Sequence, residues 1–196
     1  MANYNNSEIE PLSRTQILVV MGVTAVILLG VAKIWQRLGS VKLLPVIFDL
    51  NALLWGIGMA AGITFASSII YWLWPAYRQS ADLYLELVIK PLVLPDLIWL
   101  GLLPGLSEEL LFRGVMLPAL GLNLAAVIIS SLLFGVLHLS GAGQWPYVVW
   151  ATIVGFALGY SALLTGNLLI PIIAHIITNL VSSILWKATH PQTSKE

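Results

Sequence analysis

Residues 15–35 read TQILVVMGVTAVILLGVAKIW, a run that carries a single charged residue, Lys33. The run is as long as the roughly 20 apolar residues that a helix needs to cross the hydrocarbon core of a bilayer. Over the whole chain, 59% of residues are hydrophobic, 9% are charged, and the mean hydropathy is +0.92. Soluble domains carry about 25% charged residues, because their surface must be solvated. The sequence therefore predicts an all-α integral membrane protein.

Six apolar segments of this kind predict a polytopic bundle of about six transmembrane helices: 15–35, 52–74, 96–120, 122–140, 146–164 and 168–186. We divide the chain into a polar tail, an N-terminal pair of spans with its connecting segment, a helical core and a second polar tail: 1–14, 15–94, 95–186 and 187–196. Within the connecting segment, DLYLELVIK at 82–90 is typical of a short amphipathic helix on the membrane surface.

Charge and cysteine content exclude several partners and sites. The formal net charge is zero and the nine basic residues are scattered, which argues against nucleic acid as a partner. The chain has no cysteine, so disulfides, thiolate metal sites and a cysteine nucleophile are excluded. In a six-span arrangement, five basic residues lie on one membrane face and three on the other: Arg14, Arg78, Lys90, Lys187 and Lys195 against Lys33, Arg37 and Lys42. The positive-inside rule then predicts that both termini are cytoplasmic.

Ionisable residues inside a membrane span are costly and usually mark function, and one predicted span contains SEELLFR at 107–113. Glu109 and Arg113 are four residues apart, so they share a helix face and can pair. Glu108 is rotated by about 100° from Glu109 and has no evident partner on its own helix. A buried carboxylate without a partner suits a general base or a metal ligand.

Two of the three histidines also lie in apolar spans. His138 is near the end of one span, and His175 lies one turn before Asn179 on another. A carboxylate and two imidazoles can activate water, directly or through a divalent metal such as Zn²⁺. A neighbouring histidine and asparagine can stabilise an oxyanion, so the set indicates hydrolysis of an acyl bond. Three serines are alternative nucleophiles, none of them in a G-x-S-x-G turn: Ser107, Ser130 and Ser131.

Three segments carry a resemblance to a known family. EELLFR at 108–113, FGVLH at 134–138 and HIITN at 175–179 resemble, in order and spacing, the EExxxR, FxxxH and HxxxN/D motifs of the CPBP intramembrane proteases. This family is also called Abi or CAAX-protease-like, and it includes the type II CAAX prenyl endopeptidases. The resemblance covers about 95–186 and implies a membrane endopeptidase whose active site lies in a cavity within the bilayer.

The resemblance also implies a role for each motif residue. Glu108 would activate water with the help of His138, and Glu109 would bind Arg113 and shape the site. The substrate would be a membrane-associated or lipidated protein or peptide, although trimming of prenylated CAAX proteins is not itself implied. The short, loop-poor chain suggests a bacterial plasma membrane as its location.

The remaining motif residues complete the implied site. His175 and Asn179 would stabilise the oxyanion, and Phe134 would line the pocket. A metal-dependent mechanism and one that uses a glutamate without metal are both open. If a metal such as Zn²⁺ is bound, its ligands would be Glu108, His138 and His175.

Two other classes of function also remain open at the level of the sequence. The polar cluster could serve packing or partner binding in a non-catalytic membrane scaffold or a bacteriocin self-immunity protein. It could also act as a relay in a small ion or proton carrier. Against a carrier, the ionisable residues are confined to one depth, whereas a pathway needs polar residues along the whole span.

Overall fold

The computed structural model describes residues 12–190, which fold into seven helices joined by turns and short irregular segments. The helices are α1 (Arg14–Leu38), α2 (Leu50–Leu73), α3 (Pro75–Ile89), α4 (Leu94–Ala119), α5 (Leu124–Leu137), α6 (Trp145–Thr165) and α7 (Leu169–Thr189). No strand occurs in this range, and the prediction of an all-α helix bundle is confirmed. Of the predicted polar tails, 1–11 and 191–196 lie outside the described residues.

Within the described residues, four helices (α1, α2, α6 and α7) are long and apolar enough to cross a membrane. The axes of α3 and α4 are bent by 107° relative to each other, and together they could form a fifth, broken span. α5 is apolar but has only 14 residues, fewer than the roughly 20 that a crossing needs. The protein is thus a multi-pass membrane bundle with four to five spans instead of about six. The difference arises because charged residues interrupt the apolar pattern of α4 and because α5 ends just before His138.

Short polar side chains determine where several helices begin. Ser13, Asp49 and Asn123 cap α1, α2 and α5, each accepting a hydrogen bond from a backbone N–H in the first turn. α6 ends at Gly166, whose φ of 63° lies in the left-handed region that favours glycine. These signals define the short connections between the helices.

α4 packs between α1 and α7, and it lies very close to α7. A Cβ atom added at Gly101 would lie 2.9 Å from the carbonyl oxygen of Ile176, closer than real Cβ atoms approach backbone. Glycine therefore permits the close packing of α4 against α7. This packing brings the middle of α4 next to the first half of α7.

Both ends of the described chain lie at the corner between α3 and α4. Arg14 makes a two-pronged ion pair with Asp96, from Nε at 2.7 Å and Nη2 at 2.8 Å. Lys187 Nζ donates to the carbonyl oxygen of Ile89 at 3.3 Å and to that of Leu92. The start of α1 and the last turn of α7 are thus fixed to one face of the bundle.

The irregular segment 41–49 runs along the opposite end of the bundle. The backbone N–H of Leu44 donates to the carbonyl oxygen of Gly114 at 3.1 Å. The Asn167 side chain accepts from the N–H of Ile47 at 2.9 Å and donates to its carbonyl oxygen at 2.8 Å. These bonds attach the segment to α4 and to the turn between α6 and α7.

Candidate active site

α4 changes from α-helical to π-helical geometry at Leu110–Met116, immediately after the two glutamates. In a π-helix each N–H donates to the carbonyl five residues earlier. The N–H of Leu117 accordingly donates to the carbonyl oxygen of Phe112, which also accepts from the Ser130 hydroxyl at 3.1 Å. Short π-helical segments occur frequently at functional sites. No pattern in the sequence predicts this segment.

A buried chain of charged and polar groups joins α4 to α7. Arg113 Nη1 donates to Glu109 Oε1 at 2.8 Å, and the same oxygen lies 2.7 Å from Nδ1 of His175. The Arg113 and Glu109 side chains are 0% exposed, and that of His175 is 7% exposed. The pairing expected from the four-residue spacing is present, and His175 adds a contact between helices.

The rest of the Arg113 guanidinium is held by α6 and α5. Its Nη2 donates to the carbonyl oxygen of Gly155 at 2.8 Å. The ring centroid of Phe134 lies 4.4 Å from the guanidinium carbon, a cation–π contact. Phe134 is buried and also contacts the rings of His138 and His175. Phe134 therefore packs behind the site and is not among the residues that border the cavities described below. The resemblance had implied that Phe134 would line the pocket.

Glu108 has different surroundings from its neighbour. Its Oε2 has no hydrogen-bond partner in the described part of the chain, and Nε2 of His175 lies 4.0 Å away. The side chain is 17% exposed and borders a cavity. Glu109 is thus held in a buried ion pair away from the cavity, whereas the Glu108 side chain borders the cavity.

Hydrogen bonds determine which nitrogen carries the proton in both histidines. His138 directly follows α5, and its Nδ1 lies 2.8 Å from the carbonyl oxygen of Phe134. Because a carbonyl only accepts, Nδ1 carries the proton and Nε2 is left basic. By the same argument, Nδ1 of His175 donates to the Glu109 carboxylate. Each neutral ring therefore has an unprotonated Nε2.

The site surrounds a cavity of about 80 Å³ between α3, α4 and α7, here called the α7 cavity. Four of the six predicted site residues border it: Glu108, His138, His175 and Asn179. The other two, Glu109 and Arg113, are buried behind His175. A water molecule occupies about 30 Å³ in the liquid. The cavity therefore has room for water beside the Glu108 carboxylate.

The expected metal ligands share this cavity without forming a metal site. Among the described residues, no three His, Asp or Glu side chains converge in a way that could hold a metal ion. The Nδ1 hydrogen bonds of His138 and His175 are of the kind that metal-binding histidines make. Since three ligands do not converge, the residues as placed do not fit a metal, and we derive no step through one.

The three serines considered as nucleophiles are engaged elsewhere. Their hydroxyls donate to backbone carbonyl oxygens at 2.6–3.1 Å, and the side chains are buried. None of them borders the cavity: Ser107, Ser130 and Ser131. These bonds are structural, so serine nucleophilic catalysis has no support in the geometry.

α3 forms a wall of the site that the sequence had not indicated. Tyr84, Leu85 and Val88 border the α7 cavity. The DLYLELVIK pattern correctly predicted a helix there, but the bend of 107° between α3 and α4 places one face of that helix over the site. The only signal in the sequence is the four-residue spacing that puts Tyr84 and Val88 on the same helix face.

Comparison with known proteins agrees with the motifs. Residues 90–181 match a family described as "Type II CAAX prenyl endopeptidase Rce1-like". This region is similar to that family. The matched region contains all six predicted site residues, from Glu108 to Asn179, and the resemblance recognised from the three motifs is confirmed. The description of the family is that of a protease. Tyr84 lies outside the matched region.

The chain is also similar to a bacterial protein. The chain is 28% identical over 147 residues to "Uncharacterized protein YpbD" of Bacillus subtilis (strain 168), an alignment that covers 75% of each chain. No solved structure matches the chain. The Rce1-like match is therefore the comparison that bears on function.

Proposed function

We propose that this protein is an intramembrane endopeptidase that hydrolyses peptide bonds of a membrane-associated protein or peptide. The observation that carries the proposal is the Glu108 side chain, which borders a cavity with room for water and whose buried Oε2 has no hydrogen-bond partner in the described chain. The Rce1-like match over residues 90–181 supports the same class of reaction. A lipid bilayer surrounds the protein, and the substrate is a polypeptide in or at that bilayer.

In the first step, Glu108 takes a proton from water while the water oxygen adds to the scissile carbonyl carbon. His138 borders the same cavity, and its unprotonated Nε2 accepts a hydrogen bond from the attacking water. The products of this step are a protonated Glu108 and a tetrahedral intermediate with a negatively charged oxygen. The buried Glu109 takes no part in proton transfer, because its side chain is 0% exposed and borders neither the cavity nor the attacking water.

The negative oxygen needs hydrogen-bond donors, which α7 supplies. The Asn179 amide borders the α7 cavity and can donate as a neutral group. His175 donates from Nε2 when its ring holds a second proton, taken up from solvent before the water attacks and kept on the ring throughout, while Nδ1 donates to the Glu109 carboxylate. When the intermediate collapses, the proton held by Glu108 passes to the leaving amine. The Glu108 carboxylate is thereby restored.

The proposal is tested by comparing protein N-termini in membranes from cells that carry the wild type, Glu108→Ala or Glu86→Ala. Glu86 is the matched control, because its side chain is 52% exposed, pairs with Lys90 and borders neither cavity described in this structure. Immunoblots first establish that the three proteins accumulate equally. We expect new N-termini of membrane proteins with the wild type and Glu86→Ala, and none with Glu108→Ala.

The same experiment can overturn the proposal. If the wild type and Glu108→Ala give identical N-termini at equal protein levels, Glu108 does not support proteolysis in these membranes. Termini that vanish equally in Glu86→Ala would indicate a general effect of removing a carboxylate. Only the Glu108-specific loss fits an endopeptidase with Glu108 as its general base.

A further inference from the structure

A second cavity lies on the opposite side of Glu108. It measures about 300 Å³ and is bordered by Thr24 and Leu28 of α1 and by Leu137 at the end of α5, so we call it the α1 cavity. Three side chains border both the α7 cavity and the α1 cavity: Tyr84, Glu108 and His138. A peptide that extends from one cavity into the other must pass between these three. Two of them are the residues to which the proposed mechanism assigns water activation.

Packing fixes the third of these side chains, Tyr84, in position. Its ring stacks on that of Tyr147, with centroids 4.6 Å apart and planes inclined by 24°. The Tyr147 ring in turn lies 6.1 Å from the ring of His138. Stacked aromatic pairs of this kind stabilise their geometry by about 0.5–1.5 kcal/mol beyond the area they bury. Tyr84 is therefore a rigid side chain at the junction of the cavities.

The Tyr84 hydroxyl has no role in holding the fold. Within the described part of the chain, the hydroxyl makes no hydrogen bond, in contrast to Tyr71, whose hydroxyl donates to Asp82 at 2.8 Å. A fully buried hydroxyl without a hydrogen-bond partner would be costly. Tyr84 avoids this cost because its side chain is only half-buried. A tyrosine that packs through its ring and leaves its O–H free at a cavity junction can donate to a bound ligand.

We propose that the Tyr84 hydroxyl donates a hydrogen bond to the oxyanion that forms from the scissile carbonyl of the substrate. This inference rests on the proposed endopeptidase function. The carbonyl must lie beside the water that Glu108 activates, and hence at the junction that Tyr84 borders. No covalent bond involves Tyr84, and its proton stays on its oxygen. Tyr84 thus adds a donor from α3 to those that α7 supplies.

The test adds Tyr84→Phe and Tyr160→Phe to the comparison of N-termini in membranes of cells with wild type and Glu108→Ala. Tyr84→Phe keeps the ring that stacks on Tyr147 and removes only the hydroxyl. Tyr160→Phe is the matched control, because Tyr160 is exposed on α6 and borders neither cavity. A membrane protein cleaved in the wild type is then purified and used to measure kcat and KM of each variant. Thermal unfolding in detergent checks the fold.

Removing one oxyanion donor lowers kcat by about 10²–10³-fold in enzymes where this has been measured. We expect Tyr84→Phe to lower kcat about 100-fold with KM and the unfolding temperature unchanged, and Tyr160→Phe to match the wild type. Glu108-dependent cleavage that proceeds at full rate in Tyr84→Phe would overturn the role of Tyr84 and leave the endopeptidase in place. If no cleavage depends on Glu108, the endopeptidase proposal fails and the Tyr84 inference fails with it.

Discussion

Glu108 and Glu109 are neighbours in the sequence and have opposite environments. The Glu109 side chain is 0% exposed, and its Oε1 contacts both Arg113 and His175. The Glu108 side chain is 17% exposed, and its Oε2 has no hydrogen-bond partner in the described chain. A buried charge without a partner costs several kcal/mol. Glu109 and Arg113 therefore stabilise each other in the fold, whereas Glu108 lies beside the cavity, where the proposed mechanism places the water.

Replacing Glu109 by Gln is expected to lower the free energy of unfolding by about 3–5 kcal/mol. The reason is that the fully buried Arg113 would lose its anionic partner. Denaturant unfolding of the purified protein in detergent micelles measures the change. In the control Glu86→Gln, the lost pair with Lys90 is largely exposed and should cost at most about 1 kcal/mol. Wild-type stability of Glu109→Gln would contradict the structural role assigned to this carboxylate.

Local geometry explains which residue contacts could be predicted from the sequence. The Glu109–Arg113 pair follows from four-residue helix spacing, and the different direction of Glu108 follows from its rotation by about 100° from Glu109. The bond between Glu109 and His175 joins residues 66 positions apart on different helices, and only packing of α4 against α7 creates it. Tyr84 enters the site through the bend between α3 and α4, which no local pattern encodes. The sequence therefore indicated the chemical groups of the site and the contact within α4. It did not indicate the contacts between helices that orient these groups.

At the scale of elements, α4 is the helix that positions the site. Its π-helical segment follows the two glutamates, and its close packing on α7 brings Glu109 within 2.7 Å of His175. The helix periodicity predicted α4 but not its π-helical turn. That turn depends on partners from other elements: the Ser130 hydroxyl of α5, for example, donates a hydrogen bond to the carbonyl oxygen of Phe112. The length of α5 was also overestimated, since an apolar run does not by itself show where a helix ends.

Gly101→Ala is expected to lower the free energy of unfolding by about 1–3 kcal/mol, the usual cost of overpacking. The added Cβ would lie 2.9 Å from the carbonyl oxygen of Ile176, so α4 must move away from α7. Cleavage should fall as well, because the contact between Glu109 and His175 would lengthen. Unfolding and cleavage assays on the same preparation measure both effects.

Gly58→Ala on α2 is the control for this substitution. A Cβ at Gly58 would have no atom within 4 Å, and Ala is the better helix former, so neither stability nor cleavage should decline. Equal behaviour of Gly101→Ala and Gly58→Ala would show that the packing of α4 on α7 is not tight at this point. A loss confined to Gly101→Ala supports the close approach as the feature that positions the site.

At the scale of the molecule, the bundle has two distinct faces. The face with the α3–α4 corner holds the start of α1 and the last turn of α7, through Arg14 and Lys187. The opposite face holds segment 41–49 and the turn between α6 and α7, joined by Asn167. Both ends of the described chain therefore lie on the same face of the bundle.

Single cysteines can determine which face is cytoplasmic, because the chain contains no cysteine of its own. Gln79 is exposed on α3 at the face with the corner, and Thr165 is exposed at the opposite end of α6. If the positive-inside rule holds here, a membrane-impermeant maleimide should label Thr165→Cys in intact spheroplasts and Gln79→Cys only after lysis. Normal Glu108-dependent cleavage by both variants would show that they are folded. The reverse labelling pattern would place the α3–α4 corner outside the cell, and labelling of both before lysis would contradict a single orientation.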